Sequence, residues 1–120
     1  MDFNITVRGL EKADHERTEG IRNYITDKFA RLQKLLLTEQ QPVYVDIIVT
    51  INSPHPHHQV ELRIAEPRYH LIVKREDAEL YRAIDEVLDI GHTKLANHKD
   101  ELIENARREG YIQKIKDRSL

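Results

Sequence analysis

The sequence has no cysteine and no tryptophan, one methionine and two phenylalanines. Without cysteine there is no disulfide, no thiol catalysis and no cysteine-based zinc site. With so few rings, any platform for stacking single-stranded bases must rest on the five tyrosines. Long apolar runs are missing as well. No unbroken stretch exceeds three residues, as at 35–37 and 71–73, which excludes a transmembrane helix. The opening Met1-Asp2-Phe3-Asn4 places no basic region before an apolar one, so no signal peptide is expected, and the cytoplasm is the expected compartment. An excess of positive charge is also absent. Nineteen Lys and Arg face 21 Asp and Glu, for a net charge of −2, and that total alone speaks against a nucleic-acid partner.

What is present fits one domain of 120 residues. Hydrophobic residues make up 39% of the chain, in periodic runs that argue against disorder. Charge is unevenly distributed. Residues 28–37 hold Lys28, Arg31 and Lys34 and no acid, whereas 76–89 hold six acids and only Arg82. Residues 105–120 carry five cations and two acids. A near-neutral total therefore conceals opposed local fields, although charge runs are most often solvated faces.

Phe3, Ile5 and Val7 alternate with polar residues, the period of a half-buried strand. Thr18 is read as the N-cap of a first helix, with Ile21, Tyr24, Ile25, Phe29, Leu32, Leu35 and Leu36 on its apolar stripe. Pro42 follows its end. Val43, Val45, Ile47, Val49 and Ile51 predict a second strand, and 52–58, with two prolines, a loop. Val60, Leu62 and Ile64 mark a third strand, and 69–73 a fourth after a turn at 66–68. From about Asp77 a long helix carries Leu80, Ile84, Val87, Leu88, Leu95 and Leu102 on one stripe. Gly110 is expected to stop it, leaving a polar tail. The βαβββα order predicts an α+β, two-layer sandwich: a four-stranded mixed sheet with both helices packed on one face. Asn4, Thr6, Arg8, Asp46 and Thr50 then point outward.

Three features bear on function. At about 100° per residue Lys28 falls inside the first helix's apolar stripe, with Arg31 and Lys34 drifting off its edge. Either its stem snorkels to water, or the three form a basic ridge aimed at phosphates. On the second helix Lys94 and His98 stand four apart on one face. Gly91 sits in that helix's apolar stripe, at a cost of about 1 kcal/mol relative to Ala, leaving a hole or admitting close approach of the first helix. His55, His57 and His58 share one loop, but a metal site needs further ligands and geometry, so no metal or other cofactor is expected. No phosphate-cradling glycine loop or nucleophile turn is present, and the chain does not read as an enzyme.

Taken in order, these residues resemble the ribosome hibernation-promoting factor family in its short form. The resemblance covers about 1–104, leaving 105–120 as a basic helix end and tail. It rests on Asn4-Ile-Thr-Val-Arg-Gly9, on Thr18-Glu-Gly-Ile-Arg-Asn-Tyr-Ile-Thr-Asp-Lys28 with Phe29-Ala-Arg-Leu32, on Glu79-Leu-Tyr-Arg-Ala-Ile-Asp85, and on Leu95 followed by His98-Lys99. It implies a non-enzymatic translation inhibitor that occupies the mRNA and tRNA channel of the small ribosomal subunit during stress or stationary phase. Its partners would be that subunit and its rRNA, with a second hibernation factor for any ribosome pairing, no membrane, and a monomeric state off the ribosome. On this basis Lys28, Arg31, Lys34, Arg82, Lys94, His98 and Lys99 are the expected rRNA-binding residues. The family usually carries cations where this chain has Ile90, Thr93 and Asn97, a loss that Lys94 only partly offsets. That loss keeps a second reading open, a diverged member acting as a protein-interaction or stress-adaptor module. A third makes the seven histidines a pH sensor.

Overall fold

The computed structural model describes residues 1–10, 14–51 and 57–118, with side chains as far as Gly110. The elements are β1 (Asp2–Arg8), α1 (His15–Leu36), β2 (Tyr44–Thr50), β3 (His58–Glu66), β4 (Tyr69–Asp77) and α2 (Leu80–Arg118). They form the expected α+β sandwich around one four-stranded sheet in the order β1-β2-β3-β4. β1 runs parallel to β2, and the other neighbours are antiparallel. Alternation explains the two layers. Val45, Ile47, Val49, Val60, Leu62, Ile64, Leu71 and Val73 turn inward and are buried against Ile21, Ile25, Phe29, Leu32 and Leu36 of α1 and the apolar stripe of α2. On the edge strand, Phe3 stacks on Phe29 with centroids 4.3 Å apart. Arg22 of α1 donates to the Ile5 carbonyl at 2.8 Å.

Several boundaries differ from the periodicity. Asp14 is the N-cap of α1, accepting from the Arg17 amide, and Thr18 lies inside the helix with its hydroxyl returned to the Asp14 carbonyl at 3.0 Å. Thr and Asp both cap, and here the Asp14 carboxylate takes the Arg17 amide while the Thr18 hydroxyl is taken up by the N-cap carbonyl. The Asp77 carboxylate accepts from the Glu79 amide ahead of α2, which begins at Leu80. Gly110 does not stop α2: the helix continues to Arg118, because a glycine ends a helix only when it turns left-handed. Leu102, assigned to the apolar stripe, is half exposed where α2 runs past the sheet. His58 opens β3 opposite Asp77, buried, rather than ending a loop; His57 precedes it exposed, and His55 lies outside the described residues.

Two glycines have spatial reasons. Gly9 has a φ of +87°, and a Cβ there would come 2.5 Å from the Ile51 carbonyl oxygen, so it closes the parallel β1–β2 pair. A Cβ on Gly91 would meet Leu62 Cδ2 at 2.5 Å. The close approach that Gly91 allows is therefore between α2 and β3, not between the two helices.

Candidate nucleic-acid interface

α1 and α2 lie side by side on the sheet, and a surface groove of about 330 Å³ separates them. It is lined by Asp27, Lys28, Arg31, Asp85, Leu88 and Asp89. Lys28 stands at the edge of the α1 stripe, its side chain about half exposed. Its ammonium lies 4.0 Å from Asp85 Oδ1 and 5.6 Å from the centroid of the Tyr24 ring. The stem packs and the charge reaches water, which is snorkelling, and the ammonium points into the groove. An exposed pair at that distance contributes about 0–1 kcal/mol, so Lys28 stays available to a stronger anion.

Asp85 is held in place. Tyr24 Oη donates to its Oδ1 at 2.6 Å, and Tyr24 meets Tyr81 edge to face with centroids 4.5 Å apart. The hydrogen bond to Asp85, then burial and the carboxylate's charge, push the Tyr24 phenol up to about 12. Tyr24 therefore remains a donor, fixing an acid opposite the cations.

The other expected residues do not gather in this groove. Lys34 and Lys94 are exposed, and among the described residues neither makes an ion pair. Lys94 borders a separate hollow with Asp89, Ile90 and Thr93. Arg82, in the first turn of α2, bonds Glu79 at 3.0 Å and lies 4.0 Å from Asp77. Those acids offset the unfavourable placement of a cation at a helix N-terminus. His98 stacks on Tyr69, centroids 3.8 Å apart and planes 5° from parallel. Lys99 donates to the Leu35 carbonyl at 3.0 Å and to Thr38 Oγ1, and lies 3.6 Å from Glu39 Oε1. A cation on the last carbonyls of α1 satisfies groups the helix leaves open and complements its dipole. Lys99 thus ties α2 to the end of α1.

Beside Lys99 lies a pair that the periodicity did not single out. Glu66, at the end of β3, is buried, the side chain of Glu39, after α1, is 9% exposed, and among the described residues each has an Oε1 without a hydrogen-bond donor. Burial, followed by hydrogen bonding to Glu39 and that group's charge, raises Glu66 to about 7, with Lys99 opposing the shift. Two carboxyl groups that share a proton satisfy their oxygens where two carboxylates would repel. Burial and the nearby Glu66 and Glu101 raise Tyr69 as well. His58 is lowered, mainly by burial, with Arg17 and His57 adding to the effect.

The seven expected residues are thus divided among the groove (Lys28, Arg31), the exposed last turn of α1 (Lys34), the flank of α2 (Lys94), its N-terminus (Arg82) and the junction where His98 and Lys99 meet Tyr69 and the end of α1. Sequence spacing could not reveal Asp85 and Asp89 as the acids facing Lys28 and Arg31, since they lie more than fifty residues away. Among the described residues no group of three or more His, Asp or Glu could hold a metal ion, and no described helix is long and apolar enough to cross a membrane.

Comparison with solved structures finds the same fold in the N-terminal domain of Protein Y from Thermus thermophilus. That match has a TM-score of 0.63 and 25% identity, over 82% of this chain and 99% of that one. A ribosomal subunit interface protein from Coxiella burnetii shares the fold with a TM-score of 0.60 and 19% identity, over 83% of this chain and 99% of that one. No curated protein matched. The family model described as sigma 54 modulation protein / S30EA ribosomal protein matches residues 5–103, which take in the second half of β1, all of α1, β2, β3 and β4, and the packed part of α2. The chain therefore belongs to the sigma 54 modulation protein / S30EA ribosomal protein family.

Proposed function

We propose that this protein is a cytoplasmic, non-enzymatic translation inhibitor that binds the small ribosomal subunit over its mRNA and tRNA channel and holds idle ribosomes inactive under stress. The observation that carries this reading is the family match across residues 5–103. The exposed α1 cations Lys28, Arg31 and Lys34 support it, since they stand on the side of the sandwich away from the sheet and within reach of a phosphate backbone. Residues 1–104 are the binding unit, and the basic segment 105–120 continues it, as α2 as far as Arg118. The protein acts as a monomer off the ribosome, and a second factor supplies any ribosome pairing. Recognition is by shape and phosphate charge, because the surface offers few rings for base stacking.

Lys99 and Arg82 support the interface indirectly. One fixes α2 against α1, and the other is held by Glu79 and Asp77. The adaptor reading draws on a different observation, the three acids that line the groove. Co-sedimentation with ribosomal subunits across a salt series separates the two. Ribosome binding predicts salt-sensitive association with small subunits, weakened on the order of tenfold by Lys28→Ala with Arg31→Ala. Absence of association at low salt overturns it in favour of the adaptor.

A further inference from the structure

The helices cover only one face of the sheet. On the other, the outward residues of the four strands form rows fixed by the pairing register. Arg8 aligns with Thr50, Gln59 and Glu76; Thr6 with Ile48, Glu61 and Lys74; Asn4 with Asp46, Arg63 and Ile72. Arg8 and Lys74 are on opposite edge strands, and their long side chains lean over the middle of the sheet into one hollow of about 280 Å³. Its lining is Arg8, Arg63 and Lys74, with Thr50, Gln59, Glu61 and Ile48 between them. Among the described residues three cations stand there against one acid.

The state of those cations matters more than their number. Among the described residues neither the Arg8 guanidinium nor the Lys74 ammonium has an acceptor, although both residues are exposed. Among the described residues Arg63 bonds through Nε alone, donating to Glu61 Oε2 at 2.8 Å. That bond orients the guanidinium and leaves its Nη groups open. Thr50 and Gln59 add neutral donors. An arginine fork and several N–H donors converging on one hollow fit the tetrahedral oxygens of a phosphate. Only Ile48 is apolar, so the hollow offers little to a hydrophobic side chain. Glu76, at the β4 end of the Arg8 row, and Asp46, beside Arg63 on its row, border it, so it suits one or two phosphates rather than a long track.

We propose that the Arg8–Arg63–Lys74 hollow is a phosphodiester-binding site that holds an RNA segment on the sheet face, opposite the helices. The protein would then contact RNA from both faces, bridging two segments of a folded RNA. This goes beyond the helix-side binding proposed above and stands on separate residues.

The experiment uses the 15N-labelled full chain titrated at low salt with a 12-base-pair RNA duplex and, separately, with inorganic phosphate. Amide shifts at Arg8, Thr50, Gln59 and Lys74 are expected with both probes, and at lower concentration with the duplex. Arg8→Ala with Lys74→Ala should weaken duplex binding on the order of tenfold and lower the slope of log K against log salt by about two. Asp46→Asn, a change on the same face, should not weaken it. Unchanged affinity in the folded double variant, or shifts confined to α1 and α2, overturns the proposal. Displacement of the duplex by polyglutamate at equal ionic strength and equal charge concentration would assign the hollow to an acidic protein and overturn the RNA assignment. Failure here is separable from failure of the function. Loss of ribosome binding by Lys28→Ala with Arg31→Ala, but not by the sheet variant, removes this site and keeps the function. Duplex binding on the sheet without any ribosome association does the reverse.

Discussion

The helix groove and the sheet hollow are similar in size, about 330 and 280 Å³, yet opposite in charge balance. In the groove Lys28 and Arg31 face Asp27, Asp85 and Asp89. In the hollow, among the described residues that line it, Arg8, Arg63 and Lys74 face one acid, Glu61. Lys28 and Arg31 of the α1 ridge, the most basic stretch in the first part of the chain, are thus compensated by the acidic start of α2, whereas among the three strand cations only Arg63 is paired with an acid among the described residues. A linear charge run says little about the field a partner meets, because packing decides which distant charges share a surface.

Both regions depend on the shared platform, so its loss is the largest effect expected. Leu62 lies fully buried beneath Gly91, where α2 rests on β3. Leu62→Ala should cost about 2–5 kcal/mol in urea unfolding, and a loss under 1 kcal/mol would mean that α2 is not seated on that contact.

The Glu39–Glu66 junction should add a pH dependence on the order of 1–3 kcal/mol. The folded state raises Glu66 from its ordinary 4.5 to about 7. The folded chain therefore retains a proton that the unfolded chain releases, so this stability is complete below pH 4.5 and is lost as the pH rises through 7. His58, lowered from 6.5, works the other way and loses stability as the pH falls. Glu66→Gln should remove the decline between pH 5 and 8, followed by thermal melts of both proteins. Parallel curves for the two would refute the shared proton.

The groove's compensation can be broken directly. Asp85→Asn with Asp89→Asn frees Lys28 and Arg31 of two facing acids and should tighten small-subunit binding several-fold at low ionic strength, a gain that salt erases. Unchanged affinity across the salt series would show that those acids do not restrain the cations. The smallest change is Tyr24→Phe, which removes the 2.6 Å bond to Asp85 and should cost about 0.5–1.5 kcal/mol by urea titration. It should also abolish the phenol that titrates near 12 in ultraviolet absorbance.

The strands and the register of their faces were legible because period two at Val45, Ile47 and Val49 has one inward solution. Arg8 was correctly read as outward, but its convergence with Lys74 was not, since it requires β1 and β4 to lie at opposite edges of one sheet. The end of α2 was misread because Gly110 permits a stop without requiring one. The order of elements, the inward and outward sides of each strand and the uneven placement of charge follow from the sequence by itself, since they depend on local periodicity. Tertiary structure alone decided which charges are compensated, that Lys99 is tied to α1, and that Glu39 and Glu66 share a buried junction. Burial and Coulomb interaction act through space, across fragments that the chain order keeps far apart.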